Sequence, residues 1–300
     1  MLFGNPRVLS AVRTCKRRCL GTSNLGYVKN EFRKQAPIFE SNWSARYKSS
    51  SEHIMKWIIE IMLPRLKKET VALDVAAGTA IFARTLAPLC SSVTAVDITP
   101  EMLEEGKKQA SSEGHENIEF VIGDAADLPF PDESFDLVVC RLAIHHFPEP
   151  EKQVGEMIRV CKQHGHVALV DLTAHEDPVL ARMQNTLERL RDPSHASALT
   201  VREIKSLLVD NGDVALVPVL PGKDGMVPRS VLQNSLTLEG WMDSTNTPPE
   251  NKAIIEEIVH EELDTKTPLT GMGLFHDIDD DGNKTICFHH NWVIVTGQKL

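Results

Sequence analysis

The feature that most constrains this chain is an apolar strand that runs directly into a turn of small residues, in the segment Val71-Ala72-Leu73-Asp74-Val75-Ala76-Ala77-Gly78-Thr79-Ala80. The pattern predicts a buried strand over residues 71–75, a tight turn and the start of a helix. Such a turn lets the backbone approach a ligand closely and directs helix N–H groups toward it. Asp97 ends the next predicted strand, and an acid about 20 residues after the turn is the usual partner of ribose hydroxyls. Together these features predict a nucleoside cofactor at the strand ends of an α/β sheet.

The order of the predicted elements indicates the fold class. Five strands, predicted over residues 71–75, 92–97, 118–122, 135–140 and 167–171, are separated by helical segments. This alternation predicts an α/β fold with a mostly parallel sheet and helices on both faces. Later in the chain we expect strands at 214–220 and 286–296, a helix capped by Thr200 and Glu203, and a helical substrate-side insertion at about 223–275.

Charge is distributed unevenly along the chain. The whole chain has a net charge of −10. Residues 1–30 contain six basic and no acidic residues, so the remaining residues, 31–300, carry a net charge of −16. A basic, acid-free leader is typical of a mitochondrial transit peptide, which predicts a matrix location and a folded domain over 31–300. A disordered basic tail is the alternative. The acidic body argues against nucleic-acid binding, and we expect no membrane span because no uninterrupted apolar run is long enough to cross a bilayer.

Four sequence blocks occur in a fixed order, at Leu73–Ala80, Val96–Leu103, Gly123–Asp136 and Glu156–Lys162. In order and spacing they resemble the class I methyltransferases that use S-adenosylmethionine, specifically the type 11 group that includes ubiquinone and menaquinone biosynthesis enzymes. The resemblance implies a Rossmann-like, seven-stranded, mostly parallel sheet with a C-terminal antiparallel strand. It also implies methyl transfer to a small-molecule acceptor, with O-, N- and C-methylation and the oligomeric state left open.

The resemblance also implies roles for individual residues. Asp74 and the turn from Ala76 to Gly78 would hold the methionine end of S-adenosylmethionine, and Asp97 would accept hydrogen bonds from both ribose hydroxyls. The remaining expected contacts are Ile98 and Met102 beside the adenine, Asp124 and the Ala125 N–H on its edge, and the backbone around Cys140 and Arg141 at the methionine amino group.

The turn departs from the family pattern, because Ala76 and Ala80 replace two of its usual glycines. Alanine adopts a positive φ only at a cost, so we expect ordinary dihedral angles at both positions if the cofactor binds. These alanines keep open a second hypothesis, a non-catalytic assembly or scaffold protein on a methyltransferase fold. A nicotinamide-dependent oxidoreductase fits less well, since its turn would read Gly-x-Gly-x-x-Gly.

Histidines are the candidates for acceptor chemistry. His145 and His146 follow the fourth predicted strand, where an acceptor should enter, and either one is a candidate catalytic or substrate-contacting residue. The alternative is that they pack internally or cap the next helix. For His195, in the segment Asp192-Pro193-Ser194-His195, a surface turn is favoured over a place in the acceptor pocket.

Three further patterns complete the expectations. Phe32, Phe39 and Trp43 form either a lid over the cofactor or a plain hydrophobic docking segment. The run Asp277-x-Asp279-x-Asp281-Gly282 favours a hairpin turn over a calcium loop, because Phe288 stands where a calcium loop needs glutamate. No metal site is predicted. The cysteines outside the leader are expected to be buried free thiols.

Overall fold

The computed structural model describes residues 24–39, 51–62, 65–210, 214–218, 230–279 and 282–300. The helices are α1 (Asn24–Gln35), α2 (Ser51–Met62), α3 (Ile81–Leu86), α4 (Pro100–Ser112), α5 (Pro150–Val160), α6 (Pro178–Arg191), α7 (Val201–Val209), α8 (Leu238–Asp243) and α9 (Pro249–Thr265). The strands are β1 (Val71–Val75), β2 (Ser92–Asp97), β3 (Ile118–Ile122), β4 (Phe135–Arg141), β5 (Cys161–Leu172), β6 (Val214–Leu216), β7 (Val231–Thr237), β8 (Phe275–Ile278) and β9 (Lys284–Lys299).

The strands form one mixed sheet in the order β3-β2-β1-β4-β5-β9-β6, in which β3, β2, β1, β4 and β5 are parallel. The chain order reverses between β1 and β4, which places a crevice outside the carboxyl ends of these two strands. The predicted Rossmann-like α/β fold is therefore confirmed, and so is the antiparallel C-terminal strand, since β9 pairs antiparallel with β5.

The strand count is wrong in the prediction, because the described residues form nine strands and not seven. Strand β9 is 16 residues long and extends beyond β5. Its residues 287–293 pair with β7, and its residues 284–287 pair with β8 on the other side. Strand β7 lies inside the segment predicted to be a helical insertion, alongside α8 and α9. Its residues alternate between exposed and more buried positions, as in a strand. The sequence did not reveal this alternation because polar residues occupy both kinds of position.

Helices cover both faces of the sheet and form two layers of core. On one face Ile58 and Phe82 are fully buried, together with side chains of α9 such as Ile258. On the other face Met157 of α5 and Leu208 of α7 are fully buried. Burial of a large apolar side chain stabilises the fold by about 1.5–3 kcal/mol, so these helices hold the strand ends of the sheet in place.

Several local predictions have clear outcomes. Thr200 and Glu203 form the expected reciprocal capping box at the start of α7. The hairpin between β8 and β9 is confirmed, with Gly282 at φ 84°. Cys90, Cys140, Cys161 and Cys287 are buried free thiols as predicted. Trp43 and most of the predicted leader lie outside the described residues.

Helix α1 begins at Asn24, inside the segment predicted as a leader of residues 1–30. Its Leu25 and Val28 line a cavity at the strand ends of the sheet. Within the described ranges, every helix is too short or too polar to cross a membrane.

Candidate functional site

A cavity lies outside the carboxyl ends of β1, β2 and β4, and we call it the strand-end cavity. Its floor is the turn after β1, where Ala76, Gly78 and Ala80 all have left-handed backbone, with φ of 54°, 57° and 57°. The expectation of ordinary dihedral angles at Ala76 and Ala80 is therefore wrong. The turn keeps the conformation that glycine would favour, and each alanine costs about 1–2 kcal/mol to hold there.

The turn is held against the sheet and against helix α4 by backbone contacts. Ala77 N–H donates to Val96 O (3.0 Å), and Ala80 N–H donates to Ala77 O (2.8 Å). A Cβ atom on Gly106 of α4 would lie 2.7 Å from Thr79 O, so α4 packs directly on the turn. This close approach explains a glycine in the middle of a helix, where it is otherwise unfavourable.

Asp97 joins the turn to the start of α4. Its Oδ2 accepts from Gly78 N–H (2.8 Å) and its Oδ1 accepts from Thr99 N–H (2.8 Å). Burial raises the pKa of this carboxyl, and these hydrogen bonds oppose the rise. The Thr99 hydroxyl and the Ile98 N–H also donate to this carboxylate, which lines the strand-end cavity.

Asp124 closes the opposite side of the strand-end cavity. Its Oδ1 accepts from Ala126 N–H (2.9 Å), whereas its Oδ2 accepts no hydrogen bond within the described part of the chain. Ala125 and Arg141 also line the cavity, and the apolar wall between them includes Ile98 and Met102. The cavity thus combines two carboxylates with an apolar wall.

Asp74, like Cys140, does not line the strand-end cavity, whereas the other predicted cofactor residues do. Its carboxylate is buried, and Oδ2 accepts from Ala83 N–H (2.9 Å) in the first turn of α3. Burial raises its pKa to about 7, against the opposing charge of Arg141. The carboxylate of Asp74 thus anchors the helix that follows the turn, and its predicted contact with the cofactor stays a prediction.

A second cavity, which we call the histidine cavity, adjoins the first. The two share the wall residues Phe32, Phe39, Leu142 and His146. The other residues that line the histidine cavity are Gln35, His145, Leu172, Arg191, Asp192, Trp241, Ser244, Thr245, His290 and Trp292. Of the two predicted catalytic histidines, His146 therefore lies at the boundary between the two cavities, and His145 lines only the histidine cavity.

His145 is paired with an acid at the end of β5. Its Nδ1 lies 2.6 Å from Asp171 Oδ1, and Asp171 is itself fixed by Leu172 N–H (2.7 Å) and His145 N–H (3.2 Å). Burial of the ring lowers its pKa, but the charge and hydrogen bond of Asp171 outweigh burial, so the pKa of His145 lies above its ordinary value.

His146 has the opposite electrostatic character. Its Nδ1 lies 3.0 Å from Ser194 O and 3.1 Å from Ser194 Oγ, and the ring packs edge-on against Phe32. Burial and the adjacent charge of His145 lower its pKa to about 4. The surroundings therefore shift the pKa values of these neighbouring histidines in opposite directions.

His195 is buried, with 1% of its surface exposed, so the favoured prediction of a surface turn is wrong. Its Nε2 lies 2.7 Å from Asn185 Oδ1 and 3.2 Å from Ala198 N. Burial lowers its pKa well below the ordinary value. The ring stacks at 5.5 Å behind His145 and does not line the histidine cavity, so it supports the wall from behind.

The far wall of the histidine cavity contains an ion pair that the sequence did not reveal. Arg191 donates through Nε to Glu188 Oε2 (2.9 Å), and its guanidinium lies 5.1 Å from the centre of the Trp241 ring. Burial opposes ionisation of Glu188, but Arg191 keeps its pKa below the ordinary value. Among the described residues, no group of three or more His, Cys, Asp and Glu side chains is placed to hold a metal ion.

Comparison with known proteins gives the family. A family model described as "Methyltransferase domain" matches residues 73–169. The crystal structure of YcgJ from Bacillus subtilis is 32% identical, with a TM-score of 0.68 over 82% of this chain and 98% of YcgJ. The chain belongs to the S-adenosylmethionine-dependent methyltransferase family.

Two further relatives agree with this methyltransferase assignment. The structure of protein BH2331 from Bacillus halodurans C-125 is 27% identical, with a TM-score of 0.69 over 81% of this chain and 98% of that protein. By sequence, the demethylmenaquinone methyltransferase of Clavibacter sepedonicus is 36% identical over 110 residues, which are 37% of this chain and 44% of that enzyme. The sequence comparison also matches YcgJ, named there as an uncharacterized methyltransferase of Bacillus subtilis. It is 43% identical over 145 residues, which are 48% of this chain and 57% of YcgJ. The chain thus spans about half the length of the curated methyltransferases it matches by sequence.

The sequence missed most of the histidine cavity of this methyltransferase. Asp171, which supports His145 from outside the cavity, ends a predicted strand, and Asp192 comes three residues before His195, so each carried a weak positional signal. Trp241, His290 and Trp292 carried none, because they come from the segment after residue 223, where no family motif guides the prediction.

Proposed function

We propose that this chain transfers a methyl group from S-adenosylmethionine to a small molecule. The single observation that carries the proposal is the shared wall of Phe32, Phe39, Leu142 and His146, by which the strand-end cavity adjoins a second cavity that contains His145. Methyl transfer needs two reactants held in line in a space from which water is excluded.

The residues of the strand-end cavity fit S-adenosylmethionine. Asp97 lines the cavity and would accept from the ribose hydroxyls, and Asp124 Oδ2 is available to an exocyclic amino group. Ile98 and Met102 offer apolar surface to a purine ring, and Gly78 leaves room at the turn. When bound, the cofactor supplies an electrophilic methyl group on a sulfonium sulfur. The chain's contribution is to orient that group toward the histidine cavity and to close the space with α1.

Binding of S-adenosylhomocysteine to the full chain, measured by isothermal titration calorimetry, tests the cofactor assignment. We expect saturable binding, and a rise in melting temperature because the ligand binds only the folded state. Asp97→Ala should abolish both effects, whereas Glu116→Ala, which removes an exposed carboxylate elsewhere, should leave both unchanged. Absence of binding by the wild-type chain at millimolar ligand would instead favour a non-catalytic scaffold.

Transfer itself is tested with methyl-labelled S-adenosylmethionine and the small-molecule fraction of a cell extract. Label in a low-molecular-weight product that requires Asp97 supports the proposed activity. The Clavibacter relative is named for demethylmenaquinone, so a demethylated quinol belongs in the set of acceptors tested. Label that appears only in protein or nucleic acid would contradict a small-molecule acceptor.

We also propose a mitochondrial address, on the basic and acid-free composition of the segment 1–30. Because α1 contributes to the strand-end cavity from Leu25 onward, any leader removed on import ends before Asn24. Residues 1–23 fused to a fluorescent reporter should bring it to mitochondria, and a diffuse cytosolic signal would refute the address.

A further inference from the structure

The histidine cavity contains an acid–histidine pair that methyl transfer by proximity alone does not require. We propose that His145 is the general base of the reaction, that Asp171 is its positioning residue, and that the acceptor is a hydroxyl compound of the phenol or enol class. The proposal rests on the proposed methyltransferase function and deepens it.

The geometry leaves one nitrogen of His145 for the acceptor. Nδ1 is committed to Asp171 Oδ1 at 2.6 Å, and a carboxylate partner there takes the ring N–H. Nε2 then carries the lone pair, and within the described residues it makes no hydrogen bond. Because the ring lines the histidine cavity, Nε2 is the atom placed to accept a proton from a molecule in that cavity.

Asp171 is itself held rigidly. It is 1% exposed, and the N–H groups of His145 and Leu172 fix its two oxygens. A buried carboxylate held in this way sets the tautomer and direction of the imidazole and stabilises the imidazolium that forms when a proton arrives. Asp171 does not line the cavity, so it acts through His145.

His146 does not suit the same role, although it is adjacent. Its Nδ1 faces Ser194 and not a carboxylate, and its ring is clamped between Phe32 and His145 at centroid distances of 5.1 Å and 4.1 Å. The two environments push the protonation of the neighbouring rings in opposite directions, which is the usual pattern where one of two groups serves as the base.

The strength of the base selects the acceptor class. A phenol ionises near pH 10, about three to four units above a histidine, whereas water and simple alcohols ionise near pH 16. A single imidazole can therefore take the proton of a phenol or an enol at a lower free-energy cost than that of an aliphatic alcohol, which favours the phenol or enol class. Phe32, Phe39, Trp241 and Trp292 surround the same space with aromatic rings, which favour a flat acceptor by stacking.

The step is balanced as follows. The acceptor hydroxyl gives its proton to His145 Nε2 while its oxygen forms a bond to the methyl carbon. The bond between that carbon and the sulfonium sulfur breaks, and its electron pair stays on sulfur to give a neutral thioether. The proton leaves His145 for solvent after the methyl ether has departed.

A series of para-substituted phenols, from 4-nitrophenol to 4-methoxyphenol, tests the assignment with labelled S-adenosylmethionine and the full chain. At pH 8, 4-nitrophenol is already ionised in water and the methoxy compound is not. His145→Gln should reduce kcat for 4-methoxyphenol by about 100-fold or more, and should reduce it much less for 4-nitrophenol. His276→Gln, on an exposed position of β8, should leave the whole series unchanged.

The pH profile tests Asp171 separately. In the wild type, kcat/KM should rise with pH because His145 must be neutral to accept a proton. The midpoint of this rising limb should lie at a pH above the ordinary pKa of histidine. Asp171→Asn should move that limb to lower pH and lower the plateau by about 10-fold or more. The other titratable or charged groups that face or adjoin His145 are His146, Glu188, Arg191, Asp192, His195 and His290, and they are unchanged in both proteins.

The outcomes are distinct. An equal loss across the phenol series in His145→Gln, or an unmoved limb in Asp171→Asn, would show a packing role and overturn the proposal. Binding of S-adenosylhomocysteine without transfer to any phenol would overturn the acceptor class while leaving the proposed methyltransferase function intact. Failure of S-adenosylhomocysteine to bind the wild type would overturn both.

Discussion

The two cavities of this methyltransferase are assembled from the chain in different ways. The polar groups of the strand-end cavity come from the turns after β1, β2, β3 and β4, within residues 76–153. The histidine cavity collects its lining from six separate segments between Phe32 and Trp292. A site made from consecutive strand ends follows from the fold itself, whereas a site made from scattered segments depends on how the later helices and β9 pack.

The comparison predicts that the two cavities are energetically separable. Substitutions at the strand ends should affect cofactor affinity first. Substitutions in the wall of the histidine cavity should affect stability or acceptor use and leave cofactor affinity almost unchanged. Four variants test this separation.

The largest effect is expected for Asp97→Ala. The variant loses the acceptor for ribose hydroxyls and also leaves Gly78 N–H and Thr99 N–H without their partner. Hydrogen bonds to a charged group contribute about 1.5–3 kcal/mol each, so affinity for S-adenosylhomocysteine should fall at least about 100-fold. Calorimetry measures this directly, and retained affinity would separate Asp97 from the cofactor.

Gly106→Ala should come next. Its new Cβ atom would meet Thr79 O at 2.7 Å, so α4 or the turn must shift. We expect a loss of about 1–3 kcal/mol in the free energy of unfolding by urea denaturation, together with weaker cofactor binding. Gly26→Ala, an exposed helical glycine with open space around it, is the matched control and should be neutral or stabilising. Equal behaviour of both variants would contradict the close packing of α4 on the turn.

Ser194→Ala tests the other side of the comparison. The change removes the hydroxyl that donates to Asp192 Oδ1 (2.6 Å) and lies 3.1 Å from His146 Nδ1. We expect a loss of about 1–2 kcal/mol in the free energy of unfolding, with the affinity for S-adenosylhomocysteine changed by no more than about two-fold. A large loss of cofactor affinity would show that the cavities are not separable.

The smallest effect is expected for Ala76→Gly. Relief of the left-handed alanine should raise the free energy of unfolding by up to about 1 kcal/mol, because part of the gain is offset by the greater freedom of glycine in the unfolded chain. Cofactor affinity should stay the same or increase, since the turn already has the required shape. A destabilised protein, seen as a lower urea midpoint, would mean that the alanine methyl packs more favourably than its strain costs.

Prediction from the sequence succeeded where short-range signals were strong. The strand β1, the turn after it and the acid at the end of β2 all fall between Val71 and Asp97, and their apolar runs and small residues are readable without the fold. The same reasoning erred on the dihedral angles of Ala76 and Ala80. Local preference disfavours a positive φ, but the bonds that tie Ala77 to β2 and the contact with α4 impose it.

Prediction was weakest for side chains whose surroundings come from distant parts of the chain. His195 looked like part of a surface turn because its neighbours are polar, yet Asn185 and Ala198 enclose it. Strand β7 was missed because its pairing partner, β9, comes much later in the chain, after α8, α9 and β8, and supplies the burial that the composition of β7 does not indicate.

The sequence by itself therefore determined the parallel α/β core, the place of the crevice and the carboxylates at its edge. These features follow from the spacing of apolar residues, the residue types in turns and the positions of strand ends, all of which are local properties. Only the tertiary structure decided which histidine pairs with an acid, which one is held neutral, and which aromatic rings face them. Those properties depend on burial and on charges brought together from separate segments, and neither quantity exists until the chain has folded.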